Sequence, residues 1–597
     1  MRKLLSFSLI VASLGLLTSC APGKAKSEKA GEKLELKYPM EYVSDKNAIE
    51  GGTFSIGLVT GSPFKGIFDP LFASDSTDFG LVALMNDEIF WQNEDFERMG
   101  IEGGMATYTF DTDKNEIIIK FKNGLKWSDG HALGVDDLIY TAEVLGHPDY
   151  TGVTYDPLEH GKIIGMKEYH EGKAKTISGL EKVSDTELRI HMESLSPKLI
   201  SGGGALIGLS RIIPKHYLSD IPVKNLTTSD KVRKKPLSNG KYVLSKLVPG
   251  ESMELVPNEY YYLGKAKVDK VFLKTLTSQV ALESLKNGEY FTYWGLPSDI
   301  YEKYKDFNNV ALIGGYDLSY NYLMFNLGHF DEKTEQNVQD RKTPLQDVRI
   351  RQAMAYAMNL DEIATAYFKG LRTRANGVTP PVFNKYYNKD LVGYPYNPEK
   401  AKELLKEAGY VDTNGDGIVD KDGKNLEIKL AMAGGSDISE PFAQALLQYW
   451  KEIGVKVDFT TGRLLDINVL YDKIQANSDD VDMFIGGWSV GTSLDPAQST
   501  SRTARFNFPR FVDDENDKLL EALNDKKGLT DANYRAEAYK AWEKHYIEDI
   551  AVEIPMFFKY GVEPVNKNIK QANQYHDSAR SRIFEQLVDK TPLKATN

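Results

Sequence analysis

The chain has one cysteine, Cys20, and none in the rest of its 597 residues. That excludes a disulfide framework, a thiolate metal centre and a cysteine nucleophile in the body, which must rest on its apolar core. Histidine is scarce as well: nine residues, scattered without ligand spacing. His170-Glu171 lacks the second histidine that a zinc peptidase helix needs, and there is no Walker loop. These absences argue for a binding protein and against an enzyme. Beyond the N-terminal segment, no stretch reaches the roughly 18 consecutive apolar residues of a membrane span. Positive charge is in deficit, with 73 Lys and Arg against 85 Asp and Glu and a formal net charge of −12. Nucleic acid is therefore excluded as a partner, since phosphate binding needs a basic surface. No internal repeat is present.

The lone cysteine ends a particular segment. Arg2 and Lys3 precede an apolar run from Leu4 to Leu17, and Leu17-Thr18-Ser19 leads into Cys20. A charged start and a short apolar run followed by small residues are the layout of an export signal. With its leucine three positions before the cysteine, the segment resembles the lipobox of bacterial lipoproteins. The resemblance implies a signal peptide over 1–19 and a lipid (palmitate) on Cys20. The protein is then exported and lipid-anchored to the outer face of the cell membrane. Losing Arg2 and Lys3 takes the net charge from −12 to −14. The small, charged, aperiodic residues up to 38 read as a tether with an average reach of about 20–25 Å.

The composition, 41% hydrophobic and 26% charged, is that of ordinary globular material, and the length calls for about two to four domains. Alternation predicts a strand over 51–57, and a helix-like segment follows from Phe79 to Ile89. Thr107–Phe110 and Glu116–Phe121 flank Asp113-Lys114-Asn115 as a hairpin. Leu426–Leu430 alternates, Phe442, Leu446, Trp450 and Ile453 lie on one helical face, and Val455, Val457 and Phe459 alternate again. Strand, helix, strand implies a parallel pair with a helical crossover and an α/β body. Met483–Ile485 supplies a further buried strand. The loop after its carboxyl end, Gly487-Trp488-Ser489, is where α/β sheets present ligands. Asp412, Asn414, Asp416, Ile418 and Asp420, with Gly417 at the sharp turn, follow the first nine positions of a calcium loop. Gly423 stands where the bidentate Glu belongs, so a structural Ca2+ is the only cofactor contemplated.

Gly124-Leu-Lys-Trp127-Ser-Asp-Gly130, followed by a helix with acids in its first turn, resembles the signature of the extracellular solute-binding proteins that serve peptide ABC transporters. The likeness continues in order through Leu237–Tyr242, Pro249-Gly250-Glu251, Asn258–Tyr262, Pro344–Ala353, Asn397–Leu405, Ile453–Val457 and Ile554-Pro555. Gln339–Leu345 and Asn326–His329 bring it nearest to the oligopeptide-binding lipoproteins of lactic acid bacteria. The resemblance implies an α/β, two-lobed periplasmic-binding-protein-like fold with an additional accessory domain and a ligand cleft between the lobes. The boundaries it implies are 39–88, 202–317 and 557–597 for lobe I, 89–201 for the accessory domain and 318–556 for lobe II. It implies capture of extended oligopeptides by a monomer and delivery to ABC permease and ATPase subunits. The alternatives are a peptide-pheromone receptor of the same fold, a binder of another small solute and, last, a secreted enzyme. The segment Gly487, Trp488, Ser489 would run along the peptide. Ser74, Asp75 and Ser76 would line the opposite wall, and Tyr320, Asn321 and Tyr322 would cross the cleft, although alternation also allows both tyrosines in a core. The family often places an Asp three residues after this Trp to pair with the ligand's amine; here that position is Gly491, and Asp495 lies four residues further on.

Overall fold

The computed structural model describes residues 37–60, 62–581 and 586–596. Cys20 and most of the expected tether fall outside these ranges. No helix of the described residues is long and apolar enough to cross a membrane.

Two long strands organise the molecule. Val310–Phe325 and Glu553–Asn566 run antiparallel, and both belong to an eleven-stranded mixed sheet that extends through both lobes. One half of the pair, Val310–Tyr316 against Tyr560–Asn566, continues through Thr292–Trp294 to the parallel strands Thr53–Val59 and Lys270–Leu276. The antiparallel strands Ser252–Pro257 and Tyr242–Val248 complete that side. The other half, Tyr320–Phe325, pairs with Met483–Ser489, which is followed by Glu427–Met432 and Lys456–Phe459 in parallel. Between the halves the register slips: Tyr316 faces Tyr560 and Tyr320 faces Phe558. Three residues therefore lie opposite Lys559, a bulge that bends and twists the ladder where one lobe gives way to the other.

The crossover read from periodicity is present. Helix Ser439–Glu452 joins Glu427–Met432 to Lys456–Phe459 and buries Phe442, Leu446 and Trp450. Trp450 Nε1 donates to the Met354 carbonyl, 2.9 Å away, so the buried indole keeps its polar end satisfied. The hairpin also stands, as Ala106–Asp111 and Glu116–Phe121 in a four-stranded sheet with Glu187–His191 and Leu180–Lys182. That sheet has its own core, which takes in Ala205, Leu206, Leu209 and Ile212 beyond residue 201. The helix expected over 79–89 is displaced to Ser76–Ala83. Asp75 caps its start by accepting from Asp78 N. Its end is fixed by Gly240, whose amide donates to Met85 O; a Cβ there would come within 2.5 Å of that carbonyl.

Arg351 is buried inside lobe II and forms no ion pair with a carboxylate among the described residues. Its guanidinium donates to the carbonyls of Leu345, Gln346, Ile550 and Ala551 at 2.6–3.1 Å. Burial lowers its pKa to about 10, still well above neutrality. The cation thereby satisfies carbonyls at the end of the π-helical turn His545–Ile550, a favourable place for positive charge. Arg351→Met leaves four carbonyls short of a donor and is expected to cost about 3 kcal/mol. Arg351→Lys restores only part of this, because an ammonium lacks the planar fork. Urea denaturation followed by tryptophan fluorescence checks it; an unchanged midpoint for Arg351→Met contradicts the role.

Candidate functional site

The lobes meet along a row of cavities. One of about 290 Å³ has Glu88, Arg98, Gly203 and Arg211 on one side and Trp488–Ser493 with Asp495 on the other. The next, about 540 Å³, shares Glu88, Arg98, Arg211 and Thr492 with it and extends to Lys241 and His576. The third, about 760 Å³, also touches His576 and runs beside the bulge, past Tyr316, Asp317, Leu318 and Lys559. Compact small-molecule sites usually occupy roughly 300–1,000 Å³. Three adjoining chambers suit an elongated ligand.

Of the residues singled out in the sequence, Gly487, Trp488 and Ser489 lie where the chain meets this cleft. They sit at the end of Met483–Ser489, opposite Asn321, Tyr320 and Ser319. On the other side, the parallel strand Glu427–Met432 pairs only with Met483–Ile485. Among the described residues, that edge of the strand therefore has no strand beside it from Gly486 to Ser489. Trp488 meets Phe506 edge-on, with centroids 5.7 Å apart; it is half-buried, lines the first chamber and packs against the lobe II core. The glycines have a cross-strand reason. A Cβ on Gly486 would stand 2.6 Å from Tyr322 Oη, and one on Gly487 would stand 3.2 Å from Asn321 Nδ2.

Tyr320 and Tyr322 turn into the lobe II core, whereas Asn321 faces the other way and is half-buried. Tyr322 is fully enclosed and supports the strand from beneath. Tyr320 donates to Glu553 Oε1 at 2.7 Å, and Tyr546 donates to Oε2 at 2.9 Å. Ser74, Asp75 and Ser76 are not among the residues lining the three chambers. Asp75 caps its helix and pairs with Lys65 at 3.1 Å, and Ser74 accepts from the same ammonium at 3.1 Å.

The wall is instead built from residues that sequence patterns did not single out. Glu88 lies between Arg98, in close contact, and Arg211, 3.1 Å away. Burial would raise its carboxyl, but the two guanidiniums outweigh this and hold it below the ordinary range. Arg211 also stacks on Phe79 at 4.8 Å. These residues lie on separate segments, so no local motif announces them. Asp495 is already engaged: Lys198 Nζ is 2.7 Å from it and 3.0 Å from Glu159. Burial would lower the Lys198 ammonium, but the two carboxylates outweigh it and raise its pKa. Gly491 faces open space.

Beside the cleft the accessory domain and lobe II interlock. Phe96 enters the lobe II core against Phe383, with centroids 5.0 Å apart, and Leu529 enters the accessory core. Glu97 accepts from Arg535 at 2.6 Å and Lys385 at 2.8 Å.

Gly487-Trp488-Ser489-Val490-Gly491 also spells Gly-x-Ser-x-Gly. A nucleophile elbow needs a sharp turn from strand to helix at the serine. Here Ser489 is in strand register with Ser319, and Val490 N continues the ladder by donating to Leu318 O at 2.9 Å. In the Asp412–Asp420 loop the acidic side chains are satisfied locally. Asp412 accepts from Gly415 N and Gly417 N, Asp416 from Ile418 N, and Asp420 from Thr413. Their carboxylates do not form a converging group of three or more ligand atoms among the described residues.

Glu553 supplies a pH test. Burial raises its pKa from 4.5 to about 7 against the pull of the two tyrosine hydroxyls. The folded chain thus keeps a proton that the unfolded chain has lost. This contribution is fully present below pH 4.5 and disappears as pH rises through about 7; it amounts to about 3 kcal/mol. Glu553→Gln, neutral throughout, is expected to flatten the decline of stability with pH by that amount. Parallel stability–pH curves for the two proteins, measured by urea denaturation, would contradict the assignment.

The description "Bacterial extracellular solute-binding proteins, family 5 Middle" matches residues 100–507. The oligopeptide-binding protein OppA of Lactococcus lactis subsp. cremoris is 30% identical over 95% of this chain and 94% of its own length. The oligopeptide-binding protein AppA of Bacillus subtilis is 25% identical over 93% of each. Among solved structures, lactococcal OppA complexed with an endogenous peptide in the closed conformation superposes with a TM-score of 0.71 at 30% identity. It covers 88% of this chain and 98% of that one. With these matches and a two-lobed fold of the same kind, the chain belongs to the bacterial extracellular solute-binding proteins of family 5.

Proposed function

We propose that this protein captures extended oligopeptides between its lobes and delivers them to a membrane ABC importer, held at the outer face of the cell membrane by lipid on Cys20. The observation that carries the reading is the unpaired edge of Gly486–Ser489 at the row of chambers. A peptide laid along that edge gains main-chain hydrogen bonds as an added strand, whatever its side chains. The peptide-bound lactococcal structure, similar along nearly its whole length, supports the same reading. Asp495 is committed to Lys198 and Gly491 offers no acid, so no carboxylate at either position is set aside for the ligand's amine. The ends of the peptide are then free to vary, and length is tolerated. The protein works as a monomer, and closure composes the surface that permease and ATPase subunits read.

The test is to purify the chain in detergent without added peptide, denature it and sequence what is released by mass spectrometry. A ladder of heterogeneous peptides is expected. One dominant peptide would move the reading to a dedicated pheromone receptor, and a non-peptide solute would overturn it. Phe96→Ala removes the aromatic anchor between accessory domain and lobe II; Phe96 itself lines none of the three chambers and meets their wall at the His576 ring, with centroids 5.0 Å apart. It is expected to speed peptide release roughly tenfold or more, measured by stopped-flow with a labelled peptide. Unchanged release would show that this contact does not hold the closed form.

A further inference from the structure

Far apart in sequence, His131 and His216 come together outside the cleft. Their rings stack with centroids 4.1 Å apart and 17° between planes. Each turns a nitrogen onto the same carboxylate oxygen: His131 Nδ1 is 3.1 Å and His216 Nε2 2.8 Å from Asp129 Oδ2. The three donor atoms lie within 4.8 Å of one another, the one such group of His, Cys, Asp and Glu among the described residues. No short spacing joins the two histidines, so no local motif announces the pair. None of the three lines the chambers of the cleft.

The backbone that carries them is fixed from below by Asp137, a buried residue. Asp137 Oδ2 accepts from Trp127 Nε1 at 3.2 Å and from Gly134 N at 3.1 Å, on both sides of the Asp129–His131 turn. Its Oδ1 accepts from Lys215 N at 2.9 Å, next to His216. Ser128 N and Ser238 O add a tie at 2.9 Å. Asp129 itself is oriented by His131 N, which donates to its Oδ1 at 3.1 Å. The donors are therefore positioned in advance, and little ordering is needed to use them. The Asp129 and His216 side chains are 28% and 25% exposed, and that of His131 is 63% exposed, so an ion can enter from solvent. His545 shows the contrast: its two nitrogens point apart, to Asp513 and Asp549, and no common centre results.

We propose that Asp129, His131 and His216 form a surface site for a borderline divalent transition ion, with zinc the favoured occupant. Two imidazole nitrogens and one carboxylate oxygen, with a fourth position open to water, make a familiar zinc donor set. They are poor for calcium, which takes six to eight oxygens. The ion would join the Asp129–His131 turn of the accessory domain to the segment carrying His216. It would act as a clip between parts of the fold and not as a cleft ligand.

The test uses the full-length chain without a histidine tag, in detergent, stripped with chelator and titrated with zinc chloride by calorimetry. One strong zinc equivalent is expected, with an absorption band of low-coordinate cobalt when Co2+ replaces zinc, and no matching response to calcium. His131→Ala and His216→Ala should each weaken zinc binding at least roughly tenfold and reduce the cobalt band. His545→Ala should leave both unchanged. Circular dichroism verifies that the variants fold, and Asp129→Asn, which keeps the shape of the side chain, serves as a second probe. Unaltered zinc affinity in the His131→Ala/His216→Ala double variant, or no binding by the parent at about 100 times the micromolar range, overturns the proposal.

Discussion

The pairing of Val310–Phe325 with Glu553–Asn566 is the constraint on which the rest of the molecule depends. Each strand is too long to belong to one lobe, and each supplies one half to either side. Elements hung on one half move as a body relative to those hung on the other only by adjusting the bulge opposite Lys559. That bulge is held by a surface ion pair, Asp317 with Lys559 at 3.1 Å, and borders the largest of the three chambers. An exposed pair of this kind is worth little in stability. The junction is therefore stiff along the strands, where the backbone is continuous, and soft across them, where the ladder is interrupted.

Buried polar groups reinforce the same axis from the lobe II side. Arg351 ties its own helix, Val348–Tyr356, to the turn that launches Glu553–Asn566, and Glu553 joins that strand to Tyr320 on its partner. Glu543 accepts from Val378 N and Thr379 N at 2.9 Å each, deep in the same lobe. Burying a polar or charged group is expensive unless its partners are arranged around it, so these contacts select one packing more than they add net stability. Much of the motif set that reveals the family belongs to this scaffold. Gly240, Arg351 and Trp127 hold backbone in place, and none of them reaches a chamber.

Much of the fold is legible in the sequence because it is local. The alternation of Leu426–Leu430, the helical face of Phe442–Trp450 and the Asp113–Asn115 turn each encode an element within a few residues, and each is found. The shorter helix at Ser76–Ala83 is not legible, since its end is set by Gly240, which is distant along the chain. The same division holds at the cleft. Gly487-Trp488-Ser489 stands out after a buried run, although it continues the strand Met483–Ser489 where a loop is expected, whereas Glu88, Arg98 and Arg211 are ordinary polar residues until folding gathers them. Tyr320 and Tyr322 illustrate the limit of periodicity. Alternation places them on one face, but only the neighbouring strands decide that this face is the interior.

The position of Glu553–Asn566 also matters in time. It lies in the middle of the large sheet, flanked by Val310–Phe325 on one side and by Thr292–Trp294 and Arg372–Arg374 on the other. A ribosome nevertheless makes it after every other strand of that sheet. Until it emerges, both lobes keep open strand edges, and an open edge is a template for wrong pairing. Pairings between residues so far apart also close slowly. A chain built this way cannot finish either lobe while it is still being synthesised. Its large sheet stays incomplete until Glu553–Asn566 has been made, and a chain not yet folded into its lobes is easier to pass through a narrow membrane channel.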